Sequence, residues 1–162
     1  MCIVALAPIA QICGANVPGA KRVHVINHAE VETVPAADAN SKTISADLTL
    51  VATKFFNEFI FAKDGAEHTE ESNTNGSVNG RLEMDFPKDD DTKRYMFEQM
   101  QGGGKFAVAY VDGNGLQKYI RECYFEWNYK TGRSGDDVNG YIAAFTYTDV
   151  PAFIYTGAVL TA

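Results

Sequence analysis

The 162-residue sequence has no lysine- or arginine-rich stretch, no apolar run long enough to cross a bilayer and no closely spaced cysteine pair. The first absence argues against a general nucleic-acid binder, which neutralises phosphates with clustered cations. Here 14 Lys and Arg face 21 Asp and Glu, for a formal net charge of −7. The second argues against a membrane-spanning helix: the apolar residues 1–13 fall well short of the roughly 20 that a span requires. Nor are they arranged as an export signal. Pro8 interrupts the run, and the first cation, Lys21, follows it instead of preceding it. Residues 1–20 are therefore expected to form an N-terminal arm of a soluble protein, packed on itself or on a neighbour. The third absence removes both a disulfide framework and a CxxC metal pair, because Cys2, Cys13 and Cys123 are few and far apart. Buried free thiols are the expected state, with a Cys2–Cys13 or Cys13–Cys123 bridge left open.

What is present points to strands. Aromatic residues make up 12% of the chain, ten Phe and eight Tyr among them, a composition suited to pleated, half-buried surfaces. Residues 81–86 alternate, with Leu82, Met84 and Phe86 facing in and Arg81, Glu83 and Asp85 facing out. Val23 and Val25 alternate in the same way. So do Leu48 with Leu50, Phe55 with Phe59 and Phe61, and Phe106 with Val108 and Tyr110. Asp112-Gly-Asn-Gly115 reads as a hairpin turn, because its residues accept positive φ at low cost. Its partner strand places Tyr119, Cys123, Phe125, Trp127 and Tyr129 on one face, with Arg121 as a polar exception, and a last strand covers residues 141–148.

One helix stands out, at about residues 89–101. Asp89, Asp90 and Asp91 lie where a helix N-terminus offers free N–H groups and the positive end of its dipole. Lys93, Met96, Phe97 and Met100 then recur at helical spacing, and Gly102-Gly103-Gly104 stops the run. The expected fold is a single, mainly β domain, an antiparallel sandwich or barrel with one α-helix. Residues 63–80 form a long polar loop or hairpin arm with only Ala66 and Val78 to offer a core. Stretches of this length in compact domains usually carry function. Lys63, Asp64, Glu67, Thr69, Glu70, Glu71, Asn75 and Asn79 are the candidate assembly residues of that arm.

No set of residues supports catalysis. His24 and His28 lie four apart on a segment that reads as a strand, where they do not converge, and the three histidines are expected at surfaces or edges. Asp89 to Asp91 lack the loop and later glutamate of a calcium site. Glu67, Glu70 and Glu71 have no identifiable partner carboxylate across a cleft. Gly102 to Gly104 follow a helix and precede a strand, the reverse of a phosphate loop, and no serine sits in a GxSxG elbow. No metal, cofactor or catalytic residue is assigned.

Several stretches together resemble tail tube or tail ring proteins of phages infecting Bacteroides-type bacteria. They are residues 12–27 (ICGANVPGAKRVHVIN), 56–71 (FNEFIFAKDGAEHTEE), the strand-turn at 106–115, and 135–141 (GDDVNGY) before the final strand. The likeness runs from about residue 12 to residue 152, and rests on their order and spacing. It implies a virion structural subunit, made in the host cytoplasm, that forms a homo-oligomeric ring. Such rings stack into a tube or barrel that conducts DNA during ejection without binding it specifically, and meet other tail or neck proteins. The alternative from the residues alone is a carbohydrate- or receptor-binding sandwich on a virion or cell surface. Such a module exposes two or three aromatics together. Tyr124 stands alone among Lys118, Glu122, Glu126 and Asn128.

Overall fold

A computed structural model describes residues 17–131 and 139–162. The strands are β1 Ala20–Asn27, β2 Val31–Thr33, β3 Thr43–Ile44, β4 Thr49–Leu50, β5 Asn57–Phe59, β6 Ala66–Ser72 and β7 Val78–Pro87. The helix α1, Asp91–Gly102, follows, and then β8 Lys105–Asp112, β9 Gln117–Lys130, β10 Gly140–Thr148 and β11 Phe153–Tyr155. The fold is mainly antiparallel β with a single helix among the described residues. A nine-stranded sheet runs β5-β1-β8-β9-β10-β7-β6, with β11 joining β9 and pairing in parallel with β3, while β2 and β4 form a small sheet of their own. The long sheet curls until its ends meet. Phe59 beside β1 packs edge-on against Phe86 of β7, and Ala62 N–H donates to Asp85 O at 2.8 Å.

The alternation read from residues 81–86 holds. Leu82, Met84 and Phe86 are buried, and they share the inside of the curl with Val23, Val25, Phe106, Val108, Tyr110, Phe125 and Phe145. A second core lies on the outside of β1, β8 and β9. There Ile26, Ala107, Ala109 and Tyr119 are covered by Ile44, Leu48, Phe56 and Tyr155. This outer layer comes from short strands and connections with no sustained period. Of the expected Phe55, Phe59 and Phe61 row, Phe59 is buried and Phe61 packs against the inner core, while Phe55 is exposed and its neighbour Phe56 enters the outer one.

The single face assigned to β9 is corrected by a bulge. Phe106 pairs with Cys123 but Val108 pairs with Ile120, so β9 uses one residue more than β8 over this stretch. Inserting one residue exchanges the faces of everything beyond it. Cys123 and Phe125 face the inner core with Trp127 and Tyr129 packed against it, whereas Tyr119 belongs to the outer core and Ile120 takes the inner position. Arg121, the apparent exception, lies at the bulge and is exposed. Cys123 is a buried free thiol. Cys2, Cys13, the rest of the expected arm before Val17 and residues 135–138 of the late motif lie outside the described residues.

The three aspartates before α1 separate into three roles. Asp90 is the N-cap: its side chain accepts Lys93 N–H at 2.7 Å. Asp89 instead accepts the Tyr141 hydroxyl, and Asp91 lies in the first turn. Lys93 is drawn back by Asp90 and by the carbonyls of Pro87 and Lys88, so it finishes the cap and leaves the apolar stripe. Replacing Asp90 with alanine is expected to lower the melting temperature by about 2–4 °C. Asp91→Ala changes it less, and a calorimetric comparison of the two variants checks the assignment.

Candidate functional site

Residues 63–80 form a hairpin built into the sheet. β6 pairs with β7 from Ala66↔Met84 to Ser72↔Val78, and β10 accompanies β7 as far as Thr148↔Asn79. Only the tip projects. Asn73 N–H donates to Ser77 O at 2.8 Å, and Gly76 in the loop has φ of +86°. A short loop ending in a left-handed glycine is a common way to close an antiparallel pair.

The candidate residues divide by strand parity. Glu67, Thr69 and Glu71 point outward from β6, whereas His68 and Glu70 share the opposite phase. Lys63 and Asp64 lie in the exposed approach, Asn75 sits in the tip, and Asn79 lies in β7 opposite Glu71.

The outward residues continue across the neighbouring strands as rows. Glu67 lies opposite Glu83, Glu83 opposite Ala144, and Ala144 opposite Glu126. The adjacent row runs Thr69, Arg81, Thr146, Tyr124 and Lys105. Asp85 and Ile142 lie beyond, followed by Asn128. Arg81 binds Glu83 at 2.9 Å and also Glu126, bridging the small Ala144 and Thr146 positions between them. The result is a polar, net acidic wall. Its Glu67–Glu83 pair places like charges directly opposite one another, an opposition that the Arg81–Glu83 pair offsets.

On the inner side, the expectation of surface or edge histidines fails for His68, whose side chain is only 10% exposed. Its two ring nitrogens meet two tyrosines: Nδ1 lies 2.5 Å from the Tyr110 hydroxyl and Nε2 lies 2.6 Å from that of Tyr147. The Tyr147 hydroxyl donates to Glu70 Oε1 at 2.5 Å, and the same oxygen accepts Ala152 N–H at 2.6 Å. With its proton on Glu70, Tyr147 can only accept from His68. Nε2 therefore carries the imidazole hydrogen, and Nδ1 accepts from Tyr110. Four side chains from β6, β8 and β10 are thus joined in one directed chain.

That chain borders a cleft of about 450 Å³ lined by Val17, Asp64, Glu67, His68, Tyr110 and Lys118 among others. Burial, with a smaller push from Lys118 and against the pull of Glu70, holds the His68 pKa down at about 4. Burial also pushes the Tyr110 and Tyr147 hydroxyls well above their ordinary range. A neutral imidazole with both nitrogens engaged, between two tyrosines that stay protonated, offers the cleft no free base. The cluster acts as a brace tying the last strand of the sheet to its middle. Among the described residues no group of His, Cys, Asp and Glu has the geometry to hold a metal ion, and no helix is long and apolar enough to cross a membrane. No family model, curated protein or solved structure matches the chain.

The depressed His68 value fixes the sign of a pH effect. Between about pH 4 and 6.5 the unfolded chain binds a proton that the folded chain refuses. Stability is complete above pH 6.5 and falls as the pH drops through this window, by about 2 kcal/mol after allowing for the cleft water that reaches the ring. His68→Gln keeps a donor and an acceptor but does not titrate there. Urea unfolding at a series of pH values should show the variant with a correspondingly shallower acid slope.

The brace was detectable in part. Ala66, His68 and Glu70 form an alternating set, and Gly80 is a glycine inside a strand pattern. Nothing in the local sequence names Tyr110 and Tyr147 as the partners.

Proposed function

We propose that this chain is a virion structural subunit. Copies of it form a ring, and the rings stack into the tail tube or tail barrel of a bacteriophage as a conduit for DNA ejection. The observation that carries the reading is the acidic wall on β6, β7, β10 and β9, in which Glu67, Glu83 and Glu126 align across four adjacent strands. A wall of this sign repels phosphates, so a duplex beside it slides without being held. Beside the wall, β6 pairs only with β7 in the sheet order; Ala66 comes close to the start of β1 where the sheet closes, so its edge is the exposed stretch 69–72. A strand edge of this kind can pair with a different surface on a second copy, and a head-to-tail contact that closes on itself gives a ring. The order and spacing of the four segments that resemble tail proteins support the same reading.

Negative-stain microscopy of the concentrated protein, paired with light scattering, tests the proposal. Rings or tubes are the expected result. A strictly monomeric species at high concentration, or salt-sensitive tight binding to duplex DNA, contradicts it.

A further inference from the structure

Four Asn-Gly pairs occur in the sequence, at 75–76, 79–80, 114–115 and 139–140, and their surroundings differ sharply. We propose that Asn75, in the β6–β7 hairpin tip, is a site of spontaneous deamidation assisted by Ser77. The reaction needs the Gly76 amide nitrogen, once it has lost its proton, to attack the Asn75 side-chain carbon. The bond from that carbon to the amide nitrogen breaks and ammonia leaves. A cyclic imide remains, and water opens it to aspartate or isoaspartate. No oxidant or cofactor enters the balance.

The charge that builds in this reaction falls on Asn75 Oδ1. Two donors already point at that atom: the Ser77 backbone N–H at 3.1 Å and the Ser77 hydroxyl at 2.8 Å. The hydroxyl oxygen in turn accepts from Asn73 Nδ2 at 3.0 Å, which polarises its own proton toward Oδ1. Donors placed where negative charge develops lower the barrier. The space beside Gly76 is open, since a Cβ built there would meet nothing within 4 Å, as is also true at Gly115.

The other three pairs are held. Asn79 is paired on both sides, with Glu71 and Thr148, and Gly80 lies under the Tyr147 ring. Gly140 is paired with Pro87 and Lys130, and a Cβ on it would lie 2.3 Å from Phe86 O. Asn114 Oδ1 accepts the Val17 N–H at 2.8 Å, which ties its turn to a distant segment. Gly76 and Gly115 each donate their own N–H to a turn carbonyl, Asn73 O and Asp112 O respectively, so that restraint does not separate them. What separates them is that the Asn75 side chain is held by Ser77, within the tip itself. Such a tip opens locally without disturbing the sheet. Conversion adds a negative charge there, and the isoaspartate form lengthens the main chain of the turn.

The full chain would be aged at mildly alkaline pH and mapped by peptide mass spectrometry, with isoaspartate detected enzymatically. Conversion at Asn75 is expected to exceed that at each of the other three pairs. Ser77→Ala removes the hydroxyl donor and is expected to slow conversion by about 2- to 10-fold. Conversion concentrated at Asn114, none at Asn75, or a rate that is unchanged or faster in Ser77→Ala overturns the proposal.

Discussion

Phe97→Ala is expected to cost about 3–5 kcal/mol, the range for emptying a large aromatic site in a packed core. Phe97 is the one buried residue of α1. Its ring centroid lies 5.3 Å from those of Phe86, Phe125 and Tyr141, and 6.3 Å from that of Trp127. Of the rest of the helix, Met100 packs at the edge of this core, while Tyr95 is 67% and Met96 40% exposed. Truncation therefore removes the anchor of the helix and uncovers the inner core beneath it. Urea unfolding followed by Trp127 fluorescence measures both effects, since the indole packs beside the lost ring. A loss below about 1 kcal/mol would mean that α1 is an ornament on a core that does not need it.

Gly80→Ala is the second large effect, expected at about 3 kcal/mol, although it adds only a methyl group. Gly80 and Tyr147 are directly opposed on β7 and β10, and the tyrosine ring lies flat over the glycine. A Cβ there would fall 2.0 Å from Tyr147 Cζ and 2.4 Å from Cε1 and Cε2. The ring has to move. When it moves, its hydroxyl leaves His68 and Glu70, so strain from overpacking adds to the loss of buried hydrogen bonds. The variant has a second signature. With the brace broken His68 becomes solvated, and the acid-dependent loss of stability between about pH 4 and 6.5 should shrink as well. Tyr147→Phe keeps the ring but loses the hydroxyl, and so separates the two contributions.

Where the chain repeats with a simple period, the sequence was enough. Residues 81–86 and 106–110 show their inward faces directly, and the spacing of Met96, Phe97 and Met100 announces α1, although the helix begins at Asp91, after its cap. Three features escaped for physical reasons. The bulge at Arg121 and Glu122 leaves no mark in composition, yet it reverses which residues of β9 are inside. The outer core is assembled from Ile44, Leu48, Phe56 and Tyr155, which are brought together by long-range pairing and not by periodicity. The polar stretch from residue 63 reads as a long loop or hairpin arm and forms a hairpin, but the buried place within it has no apolar residue to mark it. His68 occupies it through hydrogen bonds, and Glu70, though exposed, turns its carboxylate to Tyr147. Of the candidate residues, Glu67, Thr69 and Glu71 share the outward face as strand parity requires, while Glu70 belongs to the brace.

The bulge in β9 has a wider consequence. It lets a single strand present Ile120, Cys123 and Phe125 to one core and Tyr119 to the other. β1 and β8 divide their residues in the same manner, Val23 and Val25 against Ile26, and Phe106 and Val108 against Ala107 and Ala109. Neither hydrophobic compartment can therefore melt while the other keeps its walls. Stripping the layer formed by Leu48 and Tyr155 wets the backs of the same three strands that close the inner barrel. The two cores are coupled through shared backbone, so the molecule is expected to denature as one cooperative unit, with the amides of β8 and β9 the last to exchange with solvent.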